Sequence, residues 1–558
     1  MGRNGSEDRE HPFGTADLKY LCGMWTSEHA AARWLAADLA AMGLRYAVVA
    51  PGSRNAPLVL AFHHHPQIEL AVAVDERAAA HIALGMALRT RVPAAAISTS
   101  GTAAVNFGPA LAEAFYQGVP LIALTADRPA AAIDRGHGQT VRQSGLFTAH
   151  TRYETTLDAD LLDESALRAR IAEAWRAAAD GPVHLNVPFD EPLYGITEVT
   201  TASLPATQPS ASASPHIAPI APTDRVLVLL GPAPHTERRR VPESCAFEVI
   251  ADAFSGWYGV EASADRWMRH RTEPFPDVVI TVGGPPMSKA LRNAVPDRTR
   301  HVHVGAGPWD VWGRLEHVQV EDPMAWLMEL AAGRTEQGQA MPLAEVPLED
   351  ALSDAAVIAA VGQTAPESAS VHIANSTAAR YAQLVPWRAR RVHANRGVAG
   401  IDGCTSTAVG EALAHPDEWV VVVTGDLAFL YDLNGLWVDP EPRNVRVVVV
   451  DNGGGGIFRW LKGPKESGLL TRYFEGGDCR SEASGGRRSL EAAAASVGAA
   501  CQTARSAEGV RAGLDWLFAG GTRDGVKVLV VETDGEASDL AYQRLMDARP
   551  NQSETRWL

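Results

Sequence analysis

The sequence predicts an α/β protein of three domains, each a mainly parallel sheet flanked by helices, and three observations carry that expectation. Short apolar runs alternate with helical stretches along most of the chain. In the first and last thirds, most of these runs end in loops of polar or glycine residues. Connectors without periodicity divide the 558 residues. At roughly 150 residues per domain, that length exceeds one ordinary core.

From Thr26 to about Leu204, strands are expected at Tyr46 to Ala50, Leu70 to Val74, Ala94 to Ser98, Leu121 to Thr125 and Val183 to Val187. Helices such as Glu28 to Met42 and Glu76 to Leu88 lie between them. The strand ends run into Pro51-Gly52-Ser53-Arg54, Asp75-Glu76-Arg77, Thr99-Ser100-Gly101-Thr102 and Ala126-Asp127-Arg128-Pro129, and ligands of open α/β sheets bind at such carboxyl ends. Thr200 to Thr223, rich in Pro, Ser, Ala and Thr, reads as a linker. The expected division is therefore 1–204, a linker over 205–222, a central domain over 223–340, and a last domain over 341–558. The central domain takes strands at Val226 to Leu230, Phe247 to Ile250, Val278 to Val282 and His301 to Val304. After a polar connector, Gly333 to Pro347, the last domain takes Ser370 to Ile373, Arg391 to His393, Trp419 to Val423, Val445 to Val450 and Val526 to Val531. The first and last domains thus share a plan, although no short-period repeat is legible.

Composition narrows the function classes. A net charge of -16 argues against a general binder of nucleic acid or anionic membrane, which needs a basic face. The apolar runs are much shorter than the roughly 20 residues of a bilayer span, so no membrane insertion is expected. Five scattered cysteines contain no C-x-x-C pair, and no apolar leader precedes a cleavage site, so a reducing, cytoplasmic setting is expected. His63-His64-His65 reads as exposed loop rather than a metal cluster, because three consecutive side chains cannot easily face one ion. Gly136-His137-Gly138 does not join a strand to a helix, so it is no phosphate loop.

The chemistry-bearing pattern is a pair of strand ends. Glu418 to Thr424 terminates in Gly425-Asp426, and Val445 to Val450 terminates in Asp451-Asn452-Gly453-Gly454. Mg²⁺ prefers oxygen ligands, usually one or two protein groups plus phosphate and water. Asp426, the Asn452 side chain and the Gly454 carbonyl suit that need, and the glycines let backbone approach a diphosphate. This spacing resembles that of thiamine-diphosphate-dependent enzymes, in which Gly-Asp is followed after about 25 residues by Asn-Asn; Asp451 stands where the first Asn is usual. The resemblance gives Glu76, which opens a helix after an apolar strand, the role of the carboxylate that activates the cofactor. The competing reading of Glu76 is ordinary compensation of a helix dipole.

A more specific resemblance runs from about Thr26 to Asp534. Pro51-Gly52-Ser53-Arg54, Thr99-Ser100-Gly101-Thr102-Ala103, Thr125-Ala126-Asp127-Arg128-Pro129, Asn375-Ser376, Asn395-Arg396-Gly397, Gly400-Ile401-Asp402-Gly403, Asp432-Leu433-Asn434-Gly435 and Gly455-Gly456-Ile457-Phe458 are similar, in this order, to the 2-succinyl-5-enolpyruvyl-6-hydroxy-3-cyclohexene-1-carboxylate synthases of menaquinone biosynthesis. The resemblance implies the three-domain thiamine-diphosphate enzyme fold. It also implies decarboxylation of 2-oxoglutarate on thiamine diphosphate with Mg²⁺ or Mn²⁺, and 1,4-addition of the resulting carbanion to isochorismate. Glu76, Gln139 and Arg396 become the catalytic residues. Ser100, Gly101, Ile401, Gly425, Asp426, Leu427, Asn452 and Ile457 contact the cofactor with Glu76. Ser53, Arg54, Arg128, Lys289, Asn375, Ser376, Arg380, Arg396, Phe458 and Leu461 contact substrate, with Asp426, Asn452 and Gly454 on the metal. Several guanidinium groups suit two polyanionic substrates. In the family the two thiamine-binding halves meet across a subunit interface, which implies a homodimer or a dimer of dimers.

Departures bear on this carry-over. Ala428 replaces a frequent serine, Gly138 and Ala290 stand where relatives carry Asn and Arg, and Thr471 to Arg488 lacks an expected Thr-Pro-His element. An acetolactate-synthase-like enzyme, another 2-oxoacid decarboxylase, or a non-catalytic cofactor-binding regulator are the alternatives.

Overall fold

The computed structural model describes residues 25–199, 218–233, 237–242, 245, 247–334, 348, 351–476 and 489–548. Most of the expected linker 205–222, the connector 335–347, and residues 477–488 of the expected covering loop lie outside the described residues.

Each expected domain contains a largely parallel sheet. In the first, Glu69–Ala73, Tyr46–Val49, Ala94–Ser98, Leu121–Asp127, Val183–Pro188 and Tyr153–Thr156 lie side by side, so chain order reads second, first, third, fourth, sixth, fifth. The last domain repeats that order with Arg391–His393, Ser370–Ile373, Val420–Gly425, Val445–Asp451, Lys527–Glu532 and Ala500–Ala504. The central sheet is simpler: Glu248–Ala251, Val226–Leu230, Val278–Val282, Arg300–Val304 and Leu315–Val318. In each case the order reverses between the first and third strands, and that switch point opens a crevice at the carboxyl ends.

The first and last domains do not keep separate cores. One apolar cluster runs from Val48, Ile82 and Leu111 through to Val409, Val422 and Val447. At its centre the helices Glu76–Thr90 and Cys404–Ala414 cross closely, because Gly85 and Gly410 have no side chain: a Cβ on Gly85 would strike Thr407 O, and one on Gly410 would strike Ile82 O. Val438–Asp439 of the last domain also adds an antiparallel strand beside Val72 and Ala73 of the first sheet.

Tyr153–Thr156, Leu315–Val318 and Ala500–Ala504 are among the edge strands that escape the sequence reading. All three are half-polar and edge-placed, so they lack the continuous apolar run that marks a buried parallel strand. The histidine run also differs from expectation. The helix Ala56–His63 continues into it, leaving His63 exposed and His64 buried, because the apolar residues Leu58 and Phe62 dock the helix into the core.

Candidate active site

The two thiamine-pattern strand ends lie side by side. Gly425 pairs in register with Val450, so the chain leaves the sheet at Asp426 and at Asp451-Asn452 as neighbours. Asp426 is buried and opens the helix Asp426–Tyr431, while Gly425 faces open space and Leu427 is partly exposed. Asn452 Nδ2 donates to Asp354 Oδ2 at 2.7 Å, which leaves its buried Oδ1 without a hydrogen-bond partner. An orphaned buried carbonyl oxygen is expensive unless a ligand completes it. Gly454 has φ +141°, and a Cβ there would strike Glu475 O; its carbonyl accepts from Gly456 N at 2.9 Å and keeps a second lone pair. Among the described residues no cluster of three His, Cys, Asp or Glu side chains could hold a metal. The donor set fits a hard cation that also takes phosphate oxygens and water, with Asp426, Asn452 and Gly454 as protein ligands.

At the adjacent switch point Asn375 is a hub. Its Nδ2 donates to Asn395 O at 2.7 Å and to Gly400 O at 2.6 Å, and its Oδ1 accepts from Arg396 Nη1 at 2.7 Å. Arg396 Nε is buried and has no partner. Burial pulls the Arg396 pKa down, Asp252 of the central domain opposes that, and the nearby Arg380 adds to it. Two guanidinium groups close enough to repel, with one buried aspartate to offset them, suit an anion. Arg380 lines a cavity between the central and last domains with Asp252, Ser288 and Gln383. Lys289, exposed, begins the helix Lys289–Ala294 immediately after Ser288. Ser376 takes φ +69° to start the helix Thr377–Ala382, which carries Arg380. Ile401 packs with Ala374, Cys404 and Ala428, so Ala428 serves an apolar contact. Ile457 and Phe458 lie on the turn Gly456–Trp460, Phe458 against Phe474, and Leu461 is exposed just beyond.

The first domain gathers a second group at its own switch point. Ser100 Oγ donates to Gln139 O at 2.8 Å, and Gly101, at φ +83°, packs on the Gln139 backbone. Arg54 N donates to Thr99 Oγ1, while exposed Ser53 precedes it. The Arg54 guanidinium is engaged internally, donating to Phe189 O at 3.1 Å and pairing with Glu191 at 3.2 Å. Arg128 is half-buried with its Nε unpartnered. Glu76 is the first residue of the helix Glu76–Thr90, capped by Asp75, and its Oε2 accepts from Asn106 at 3.2 Å. Its neighbours reach the last domain: Asp75 accepts from Asn434, and Arg77 donates to Tyr431 O.

Residues 29–146 match the thiamine pyrophosphate enzyme N-terminal TPP binding domain, and residues 374–531 match the C-terminal TPP binding domain. A 2-succinyl-5-enolpyruvyl-6-hydroxy-3-cyclohexene-1-carboxylate synthase of Desulfotalea psychrophila is 36% identical over 478 residues, covering 79% of this chain and 88% of the relative. One from Flavobacterium psychrophilum is 32% identical over 474 residues, covering 78% and 85%. The chain belongs to this synthase family. Its fold is similar to that of the Rhodococcus jostii RHA1 thiamine diphosphate-dependent 4-hydroxybenzoylformate decarboxylase, at TM-score 0.66 and 19% identity over 91% of this chain and 99% of that one.

In this member of the synthase family, the residues that sequence reading missed are those that support the site. Asp354, Asp252 and Glu113 are buried carboxylates, each bonded to or facing a site residue distant in sequence. Their only sequence signal is an acid within an apolar stretch.

Proposed function

We propose that the chain decarboxylates 2-oxoglutarate and joins the remaining four-carbon unit to isochorismate, releasing CO2 and forming 2-succinyl-5-enolpyruvyl-6-hydroxy-3-cyclohexene-1-carboxylate. The observation that carries this reading is Arg396 held on Asn375 with Arg380 near it, at the end of the same sheet whose strand ends carry Asp426 and Asn452. It joins a place for an anionic substrate to a place for a metal-bound diphosphate. When bound, thiamine diphosphate supplies the electron sink that a 2-oxoacid needs in order to lose CO2.

The chain's own residues bind, orient and shield. Asp426, Asn452 and the Gly454 carbonyl hold Mg²⁺ or Mn²⁺ and through it the diphosphate. Glu76 holds a proton at the aminopyrimidine N1′, with Asn106 fixing its second oxygen. Arg396, Arg380 and Arg128 take substrate carboxylates, Asn375 aims Arg396, and Gln139 is set beside Ser100 for a polar contact. Ile401, Ile457 and Phe458 form the apolar wall that keeps water from the reacting carbon.

A homodimer or dimer of dimers, with each centre shared between the first domain of one subunit and the last domain of another, is part of this reading. Around Glu76 the surface carries exposed apolar side chains, with Tyr431 52% and Trp437 57% exposed, suited to burial against a second copy. A cytoplasmic setting fits Cys245 and Cys404, buried free thiols, and among the described residues no helix is long and apolar enough to cross a membrane.

Mass spectrometry of the product from 2-oxoglutarate and isochorismate, with and without thiamine diphosphate, tests the assignment. The coupled product is expected only with cofactor. CO2 release from pyruvate equal to or greater than that from 2-oxoglutarate with isochorismate would overturn it.

A further inference from the structure

We infer that Glu113 is a positioning residue that holds the Arg396 to Gly403 loop in its working shape, acting from the first domain on the last domain of the same chain. This inference rests on the proposed role of Arg396. Glu113 lies on the helix Gly108–Gln117 and is 1% exposed. Its Oε1 accepts from Gly397 N at 2.7 Å and its Oε2 from Val398 N at 2.8 Å. One carboxylate therefore takes both backbone N–H groups that follow Arg396. Gly397 permits this approach, because any Cβ there would strike Glu113 O.

A buried carboxylate is costly unless donors surround it, and backbone N–H donors to a charged acceptor make the stronger class of hydrogen bond. An apolar residue of similar volume would fill the space but leave both amides buried without partners. Arg396 is thus fixed twice: its guanidinium by Asn375, and its following backbone by Glu113. The far end of the loop is also held by the first domain. The His81 ring packs closely on Gly403, whose φ of +67° and missing side chain make room for it, and its Nε2 is 4.0 Å from Asp402 Oδ2. His81 Nδ1 lies 2.9 Å from Arg77 O, one turn from Glu76. Ile401 lies between these two clamps, and Arg396 immediately precedes the first.

Full-length Glu113→Gln protein tests this with two readouts, hydrogen exchange without substrate and steady-state kinetics. Exchange at the amides of Gly397 and Val398 is expected to rise about tenfold or more, with the helix Glu76–Thr90 unchanged, as fits the loss of one charge-assisted bond. The KM for 2-oxoglutarate is expected to rise about tenfold while thiamine diphosphate affinity stays within about threefold. Unchanged exchange at those two amides would overturn the positioning role. Faster exchange with unchanged kinetics would overturn its link to the reaction, and uniform loss of protection across the first domain would reduce Glu113 to a structural residue. If wild-type protein forms no coupled product, the functional reading fails, while the exchange result still decides the loop. Should Glu113→Gln not fold, Glu113→Asp keeps the charge but draws the carboxylate back by one methylene from both amides. Faster exchange at Gly397 and Val398 is then expected, and its absence overturns the inference.

Discussion

Asn452 owes its orientation to Asp354, a residue in no motif. Asp354 is fully buried at the start of the helix Asp354–Thr364, where burial pushes its carboxyl pKa up and Thr533, Asn452 and Ser538 oppose the rise by hydrogen bonding. By accepting from the Asn452 amide nitrogen, it leaves the amide oxygen free to accept from or ligate a bound group. Groups that orient metal ligands commonly matter almost as much as the ligands. Asp354→Ala is therefore expected to weaken Mg²⁺-dependent binding of thiamine diphosphate by about 10- to 100-fold. Calorimetric titration checks this, and unchanged affinity would remove Asp354 from the support of the site. The Gly-Asp and Asp-Asn pairs were legible in the sequence because their types and spacing suit a metal diphosphate. Asp354 was not legible, because its partner is 98 residues away and nothing local distinguishes it from a helix-start acid.

Among the elements, the helix pair carrying Glu76 and following Ile401 sets the relation between the first and last domains. Gly85→Ala places a methyl group against the Thr407 carbonyl, where rigid backbone must shift. Overpacking of this kind is expected to cost about 1–3 kcal/mol or more in denaturant unfolding. The central domain has a different sensitivity. His301 and His303 are almost fully buried on adjacent positions of one strand face, bonded to Thr281, with Asp310, Arg314 and His317 nearby. Burial, the larger cause, holds both neutral, with pKa values lowered from 6.5 to about 4. Folded pKa values below the unfolded ones mean that the stabilisation is full above pH 6.5 and is lost as pH falls toward 4. A loss on the order of 2–3 kcal/mol per histidine is expected in that window, and unfolding midpoints measured against pH, with His303→Gln as the flattened control, check it. Buried strands were legible as apolar runs. Edge strands such as Ala500–Ala504 were not, since one half-polar face gives no run to read.

At the scale of the whole molecule, the proposed dimer shares each centre between two chains. On the proposed roles Glu76→Gln and Asp426→Ala would disable opposite halves of a centre, so each variant alone is expected to be inactive. Co-refolded in equal amounts, random dimers would restore roughly a quarter of the wild-type centres if each centre is shared between subunits. Complete absence of recovery in dimers shown to have exchanged subunits would place both halves in one chain. The same arrangement makes activity fall on dilution below the dimer dissociation constant, which light scattering can follow in parallel.

The sequence by itself determined the class of fold and the cofactor pattern, because strand periodicity, glycine loops and acid-amide spacing are local properties; the candidate arginines followed from the family resemblance. Only the tertiary structure decided how those pieces are held. It merged the first and last cores through Gly85 and Gly410, engaged the Arg54 guanidinium with Phe189 and Glu191, and brought Glu113 onto Gly397 and Asp354 onto Asn452. These contacts join residues far apart in the chain. Their physical cause is the cost of burying an unsatisfied polar group, which acts only once packing has removed water.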